Sequence, residues 1–107
     1  MENTGLEHAR HPLEAQAEQV AQTLTAMANP KRLVVLCTLL AGEKSVGDLA
    51  AIVGLSPAAL SQHLGKMRVL DLVSTRRDGQ TIYYTLASPE VRAVLETLYR
   101  VYCAPGC

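Results

Sequence analysis

Residues 45–68 constrain the fold of this chain more than any other stretch, because they combine two helix starts with a tight turn. Ser45 and Ser56 each stand where a serine oxygen can accept a hydrogen bond from an unpaired N–H of a first helical turn. Pro57 follows at a first helical position, where its missing N–H costs nothing. A turn through Gly54 joins the two predicted helices. This pattern is typical of a helix-turn-helix, whose second helix enters the major groove of DNA.

Both predicted helices carry one apolar face. The spacings of three and four residues predict that these faces pack inward, with Val46, Leu49, Ala50 and Val53 on the first helix and Leu60, Leu64 and Met67 on the second. The remaining face of the second helix is polar and free to meet DNA.

The composition fits a single soluble domain with an aliphatic core. The chain has 107 residues, of which 49% are hydrophobic, and it contains neither Phe nor Trp. No run approaches the roughly 18 apolar residues of a membrane span. The N-terminal residues lack an apolar signal region, so we expect a cytoplasmic protein that does not contact a membrane. Three cysteines in such a chain argue for free, reactive or metal-binding thiols rather than a disulfide scaffold.

The net charge is zero, but the charges are unevenly distributed. Residues 1–29 carry a balance of −3, residues 30–55 one of +1, and residues 56–86 one of +2. Positive charge is therefore concentrated on the predicted recognition helix and the segment after it, as phosphate binding requires.

Three further helices are predicted outside this motif. An amphipathic helix with a narrow apolar stripe begins at Pro12, after a loose arm over residues 1–11. Asn29 and Pro30 then start a helix that is apolar on almost every side, which predicts a central position. Ser88 and Pro89 start the last helix, and residues 104–107 form a tail.

A β-hairpin is predicted between the recognition helix and the last helix. Two runs rich in β-forming residues, 73–77 and 80–86, flank the pair Asp78-Gly79. A basic hairpin directly after a recognition helix is typical of a wing, and Arg76 and Arg77 lie beside its tip. The fold class is thus mainly α with a β-hairpin wing, a winged helix-turn-helix over residues 12–103.

Several motifs in the same order resemble the ArsR/SmtB family of small dimeric bacterial repressors. They are ANPKRLVVL, SVGDLA, GLSPAALSQHLGKMR, DLVSTRRDGQTIYYTL and LYRVYC, and the resemblance covers about residues 15–103. It implies a homodimer built on the first and last helices, with two recognition helices about 34 Å apart on a palindromic operator of double-stranded DNA. It also implies release of the DNA when an inducer binds.

The metal sites of that family are not matched here. A Cys-x-Cys of the metal-sensing branch corresponds to Ser45-Val46-Gly47, and the last helix has no His for the second family site. We therefore expect no metal site and no cofactor. The positions of Cys37 and Cys103 resemble instead the sulfide- and persulfide-responsive branch, in which such a pair forms a disulfide or polysulfide bridge that weakens operator binding. The resemblance implies reactive sulfur species as the inducer.

The candidate DNA contacts lie on the second helix of the motif and on the wing. Gln62 has the groups to bind an adenine edge, and the basic side chains are candidates for phosphate. The full set comprises Ser56, Ala58, Ala59, Ser61, Gln62, His63, Lys66, Arg76, Arg77 and Gln80. Lys31 and Arg32 are either a solvated helix start or a further backbone contact.

Three alternatives remain open from the sequence. Cys37, Cys103 and Cys107 could form a three-thiolate site for a soft ion such as As(III), Cd or Hg, and His8 and His11 could join a metal if the arm were helical. A thiol-disulfide enzyme is disfavoured, because the chain has no Cys-x-x-Cys. A winged helix used only for protein contacts is the third.

Overall fold

The computed structural model describes residues 11–103, which form five α-helices and three β-strands. The elements are a 3-10 turn at Glu14–Gln16, α1 (Ala17–Met27), α2 (Pro30–Leu40), β1 (Lys44–Ser45), α3 (Val46–Val53), α4 (Pro57–Val69), β2 (Val73–Asp78), β3 (Thr81–Leu86) and α5 (Pro89–Tyr102). The predicted arm over residues 1–11 lies outside the described residues except for His11, and the predicted tail 104–107 lies outside them entirely. No helix within the described residues is long and apolar enough to cross a membrane.

The helix-turn-helix forms as its local sequence predicts. The Ser45 side chain accepts a hydrogen bond from the Asp48 N–H at 3.1 Å, and the Ser56 side chain accepts one from the Ala59 N–H at 3.2 Å. Gly54 ends α3 with a φ of 70°, a left-handed conformation that glycine adopts without a steric cost. Local residues therefore define both ends of the turn.

The start of α2 is capped in the same way. Asn29 accepts hydrogen bonds from the N–H groups of Lys31 and Arg32, and Pro30 occupies the first helical position. The start of α1 differs from the prediction, because regular α-helix begins at Ala17 and not at Pro12. The Leu13 N–H donates to Nδ1 of His11 and residues 14–16 form a 3-10 turn, so the chain is tighter than an α-helix there.

The wing is a two-stranded antiparallel hairpin, but its turn lies one residue later than the sequence suggests. Asp78 pairs with Thr81, so the connecting residues are Gly79 and Gln80. Gly79 has a φ of 63° at the first position of this two-residue loop, as in a type II′ turn. Asp78 is therefore a strand residue, and Gln80 lies at the tip.

A third strand, which the sequence did not predict, extends the hairpin into a sheet of order β1-β3-β2. Lys44 pairs with Tyr84 and Ser45 with Tyr83. The strand is only two residues long and leads directly into α3. The wing is thereby hydrogen-bonded to the segment that begins the helix-turn-helix.

The core lies around α2, which confirms its predicted central position. Val35, Leu36 and Leu39 of α2 are at most 1% exposed. They pack into one cluster with buried side chains from α3, α4, β2 and α5, among them Leu49, Leu60, Leu64, Met67, Val73, Val91 and Leu95. The predicted inward faces of α3 and α4 are thus the faces that pack against α2.

The first and last helices bury less of their apolar surface. On α1, Met27 is buried but Leu24 is 50% exposed. On α5, Val91 and Leu95 are buried, whereas Val101 and Tyr102 near its end are 64% and 80% exposed. Within one chain, these two helices carry apolar surface with no partner among the described residues.

Candidate nucleic-acid interface and thiol pair

The outer face of α4 presents the predicted base-contacting side chains to solvent. Ala58, Ser61, Gln62 and Lys66 are exposed, while Ala59 and His63 are half-buried. Because Leu60, Leu64 and Met67 fix the opposite face in the core, the orientation of this polar face is determined by packing. Ser56 is already the helix cap, so its side chain has a structural role whether or not it contacts DNA.

His63 lies in a positively charged environment. Burial lowers the pKa of His63, and the charges of Arg32 on α2 and Lys66 one turn further along α4 lower it further. The imidazole is therefore neutral at neutral pH in the free protein. Arg32 belongs to the start of α2, which packs against α4.

Lys31 and Arg32 are helix-capping residues, and neither is simply solvated. Nζ of Lys31 donates to the carbonyl of Val53 at 3.1 Å, and Nε of Arg32 donates to the carbonyl of Ala26 at 2.6 Å. These acceptors are the last residue of α3 and a residue in the last turn of α1. A cation there satisfies a free carbonyl and interacts favourably with the helix dipole.

On the wing, Arg76 is paired within the chain. Its Nε and Nη2 atoms donate to the two carboxylate oxygens of Glu43, both at 2.8 Å, and its guanidinium lies 4.4 Å from the centre of the Tyr83 ring. These hydrogen bonds hold the pKa of Glu43 below its ordinary value. Tyr83 lies on the middle strand β3, where it pairs with Ser45 of β1 on one side and with Arg76 of β2 on the other. The ion pair therefore crosses the sheet, from Arg76 on β2 to Glu43, the residue before β1.

Arg77 and Gln80 remain the exposed polar side chains at the predicted wing tip. Arg77 pairs with Ile82, one step from the turn, and Gln80 is in the turn itself. A phosphate contact from Arg76 requires it to leave Glu43, whereas Arg77 has no ion-pair partner among residues 11–103.

Cys37 and Cys103 are half-buried free thiols on two helices that pack together. Cys37 lies in α2, and Cys103 is the residue that caps the end of α5. Burial raises the pKa of the Cys37 thiol, and the negative charge of the Cys103 thiolate raises it further. The helices that carry them, α2 and α5, pack against each other. Cys107 and His8 lie outside the described residues.

The described residues show no metal-ligand cluster. Within 11–103, no three His, Cys, Asp or Glu side chains are grouped so that they could hold an ion. Ser45, at the first position of the absent Cys-x-Cys, is instead the cap of α3. His11 is exposed and accepts a backbone hydrogen bond.

The chain is similar to known proteins in both sequence and structure. The model of the arsR family of bacterial regulatory proteins matches residues 29–75. The structure of reduced HlyU from Vibrio cholerae is 48% identical, with a TM-score of 0.81, and the match covers 85% of this chain and 96% of that one. This chain belongs to the ArsR family. It is a DNA-binding transcriptional regulator with a winged helix-turn-helix, and not an enzyme.

Two further solved structures are similar to this chain. The transcriptional repressor BigR from Xylella fastidiosa is 38% identical with a TM-score of 0.80, and the match covers 86% of this chain and 94% of BigR. A winged helix-turn-helix DNA-binding domain from Mycobacterium bovis, described as homodimeric, is 30% identical with a TM-score of 0.75; the match covers 86% of each chain.

Three features of the interface had no clear signal in the sequence. Glu43 and Arg76 are 33 residues apart, and β1 is too short to show an alternating pattern. The sequence could not decide whether Arg32 is solvated or contacts the DNA backbone. Its observed partner is the backbone carbonyl of Ala26, and a backbone carbonyl leaves no signal in the sequence because every residue has one.

Proposed function

We propose that this ArsR-family regulator is a homodimeric, cytoplasmic repressor whose operator affinity is lowered when Cys37 and Cys103 become linked. The observation that carries the proposal is that two half-buried free thiols lie on α2 and at the end of α5, two helices that pack against each other. The likeness to BigR, a repressor, and to HlyU, for which a reduced form has been described, supports it.

The DNA contacts follow from the exposed faces of α4 and the wing. Gln62 and Ser61 would meet base edges in the major groove, with Ala58 and Ala59 allowing close approach at the helix start. Lys66 would bind phosphate, and Arg77 or Gln80 would reach the minor groove. His63 would contact a base or a phosphate, and Arg76 would leave its partner Glu43 on binding.

The dimer would use the apolar surface that α1 and α5 leave exposed. Leu24, Val101 and Tyr102 are each at least half exposed, and a second copy is the partner that a symmetric repressor supplies. Two α4 helices would then lie about 34 Å apart and face successive major grooves of a palindrome.

The thiol chemistry can be written with a persulfide, RSSH, as the inducer. The Cys103 thiol takes the outer sulfur of RSSH, which gives a Cys103 persulfide and RSH. The Cys37 thiol then attacks the inner sulfur of that persulfide, so a Cys37–Cys103 disulfide forms and hydrogen sulfide leaves. The two thiols lose two electrons, and the transferred sulfur gains them. If both cysteines become persulfides, their condensation gives a trisulfide and hydrogen sulfide.

Cys103 reacts first in this scheme for a physical reason. Attack requires a thiolate, and both burial and the Cys103 charge oppose formation of the Cys37 thiolate. Once Cys103 is a persulfide, its inner sulfur is the electrophile that Cys37 attacks, on the helix that packs against α2.

A bridge between α2 and α5 would reach the DNA through the core and the dimer. α2 packs against α3 and α4, while α5 also carries the exposed surface assigned to the second copy. Fixing α2 to α5 would change the relative position of the two α4 helices. A coupling of about 1–3 kcal/mol corresponds to a roughly 5- to 150-fold change in affinity.

Mass spectrometry beside a DNA-binding titration tests this proposal. The operator would first be selected with reduced protein from a pool of random duplexes. After exposure to RSSH, we expect an internal link between the peptides of Cys37 and Cys103, with a mass that distinguishes a disulfide from a trisulfide, together with loss of DNA binding.

Two results would contradict the proposal. One is DNA release without any Cys37–Cys103 link. The other is release by As(III) or Cd(II) with thiolate absorption and none by RSSH, which would favour the soft-metal alternative instead.

A further inference from the structure

The corner where α1, α2 and α4 meet carries Arg32 of α2 beside two basic side chains of α4, His63 and Lys66, at the edge of the polar face of that helix. Arg32 and Lys66 line one open groove between α1 and α4, together with the polar side chains of Gln22 and Thr25. His63 lies one turn before Lys66 on the same side of α4. Like charges brought together this way repel one another, so the arrangement favours an anion between them.

Arg32 is oriented for such an anion. Its Nε donates to the carbonyl of Ala26, which fixes the plane of the guanidinium and leaves its two Nη groups for another acceptor. Within residues 11–103, neither Arg32 nor Lys66 forms an ion pair. Arg76 on the wing differs in this respect, because a carboxylate already takes both of its hydrogen bonds.

We infer that Arg32, His63 and Lys66 form a binding site for one phosphate of the DNA backbone, at the side of α4 that faces α1. The site rests on the proposed DNA contact of α4, since a helix in the major groove has phosphates along both of its sides. Lys66 and His63 are on α4 itself, one turn apart, and Arg32 adds a cation from the start of α2.

Glu18 is the one acidic residue in the lining of the same groove. It is exposed on the first turn of α1, whereas Arg32 is anchored at the end of that helix. A phosphate that docks beside Arg32 and Lys66 would therefore approach the end of the groove remote from Glu18.

Phosphate binding would reverse the electrostatic environment of His63. In the free protein, burial and the two cations keep the pKa of His63 below its ordinary value, so the ring is neutral at neutral pH. A phosphate supplies the opposite charge and favours the imidazolium. DNA binding should then take up protons, and affinity should rise as the pH falls through the ordinary range of histidine.

Salt titrations with a random-sequence duplex test the site, because phosphate contacts do not depend on base sequence. Each lost phosphate contact should lower the slope of log K against log salt by about 0.9. We expect Lys66→Gln and Arg32→Gln each to lower the slope by about this amount per protomer. Arg92→Gln, an exposed arginine on α5, is the matched control and should keep the wild-type slope.

His63→Gln separates this site from a general charge effect. It should remove the rise in affinity between pH 8 and pH 6 and leave the slope at pH 8 unchanged, because the ring is neutral there. Arg32→Lys, which keeps a cation, controls for the lost cap on α1, and thermal unfolding of every variant verifies the fold.

The outcomes are distinct. Wild-type slopes for Arg32→Gln and Lys66→Gln would overturn the phosphate site while the proposed DNA contact stands. Equal losses for both variants and for Arg92→Gln would also overturn it. A wild-type chain that binds no duplex even at low salt would overturn the proposed mode of DNA contact itself.

Discussion

The DNA-reading half of the molecule consists of α3, α4 and the wing, and it packs its inward apolar faces within one chain. The other half consists of α1 and the end of α5, and it leaves apolar side chains exposed. In the reading half, serine caps start both helices, and the inward faces of α3 and α4 bury Leu49, Val53, Leu60, Leu64 and Met67 in the core. In the other half, Leu24 is 50% and Tyr102 80% exposed, and Cys103 ends a helix whose last turn is largely in solvent. The helix-turn-helix is therefore encoded by local sequence, whereas the proposed dimer and thiol control depend on contacts between distant segments or chains.

The largest expected effect is a loss of stability when the core packing of α4 is disrupted. Leu64 is 1% exposed in the core, so Leu64→Ala removes buried methyl groups and leaves a cavity. We expect a loss of about 2–5 kcal/mol in the free energy of unfolding, measured by denaturant titration. Val69→Ala, on the same helix but 82% exposed, is the control and should change stability little. Equal effects for the two would mean that α4 does not pack as described.

The next effect concerns the exposed end of α5 and the stability of the dimer. Tyr102→Ala should leave the fold of the single chain intact but weaken the dimer by more than about 1 kcal/mol, because exposed aromatic side chains are frequent interface anchors. Sedimentation equilibrium measures the change. Ile52→Ala, which removes a 55% exposed side chain from α3, should leave the dimer unchanged. A wild-type dimer constant for Tyr102→Ala would show that the second copy docks elsewhere.

A smaller effect concerns the cap of the recognition helix. Ser56→Ala removes the acceptor of the Ala59 N–H and should cost about 1 kcal/mol of stability. Ser61→Ala lies on the exposed face of the same helix and should cost DNA affinity without a comparable loss of stability. The reverse pattern would contradict the assignment of these two serines.

The smallest effect concerns the exposed pair of Glu43 and Arg76, which connects the wing to the segment before the helix-turn-helix. The pKa of Glu43 is lowered by its hydrogen bonds from Arg76, so the pair adds stability above the ordinary carboxyl pKa and loses it as the pH falls through the lowered one. We expect the difference in Tm between wild type and Glu43→Gln to be small at pH 7 and to vanish in acid. A difference that persists in acid would assign another role to Glu43.

The sequence predicted the local features of the fold and little of what connects them. The caps at Asn29, Ser45, Ser56 and Ser88 were predictable because the acceptor and the donor lie within three residues. The hairpin was predicted with its turn one residue early, since Gly79 suits either register and the strand pairing decides.

What the sequence could not supply is contact across the chain. The strand β1, the Glu43–Arg76 pair and the role of Arg32 as a cap all depend on segments that only the folded core brings together. The proximity of Cys37 and Cys103 is of the same kind: in the sequence it rested on resemblance alone, and in the structure it rests on the packing of α2 against α5. The roles of these residues in DNA binding and sensing stay predictions.

Control of the reading half by the thiol pair is tested most directly by the operator affinity of wild type and of Cys37→Ser, measured reduced and after treatment with RSSH. We predict a roughly 5- to 150-fold loss for wild type that reductant reverses, the same loss for Cys107→Ser, and none for Cys37→Ser. A Cys37→Ser protein that loses affinity as fully as wild type would contradict the account.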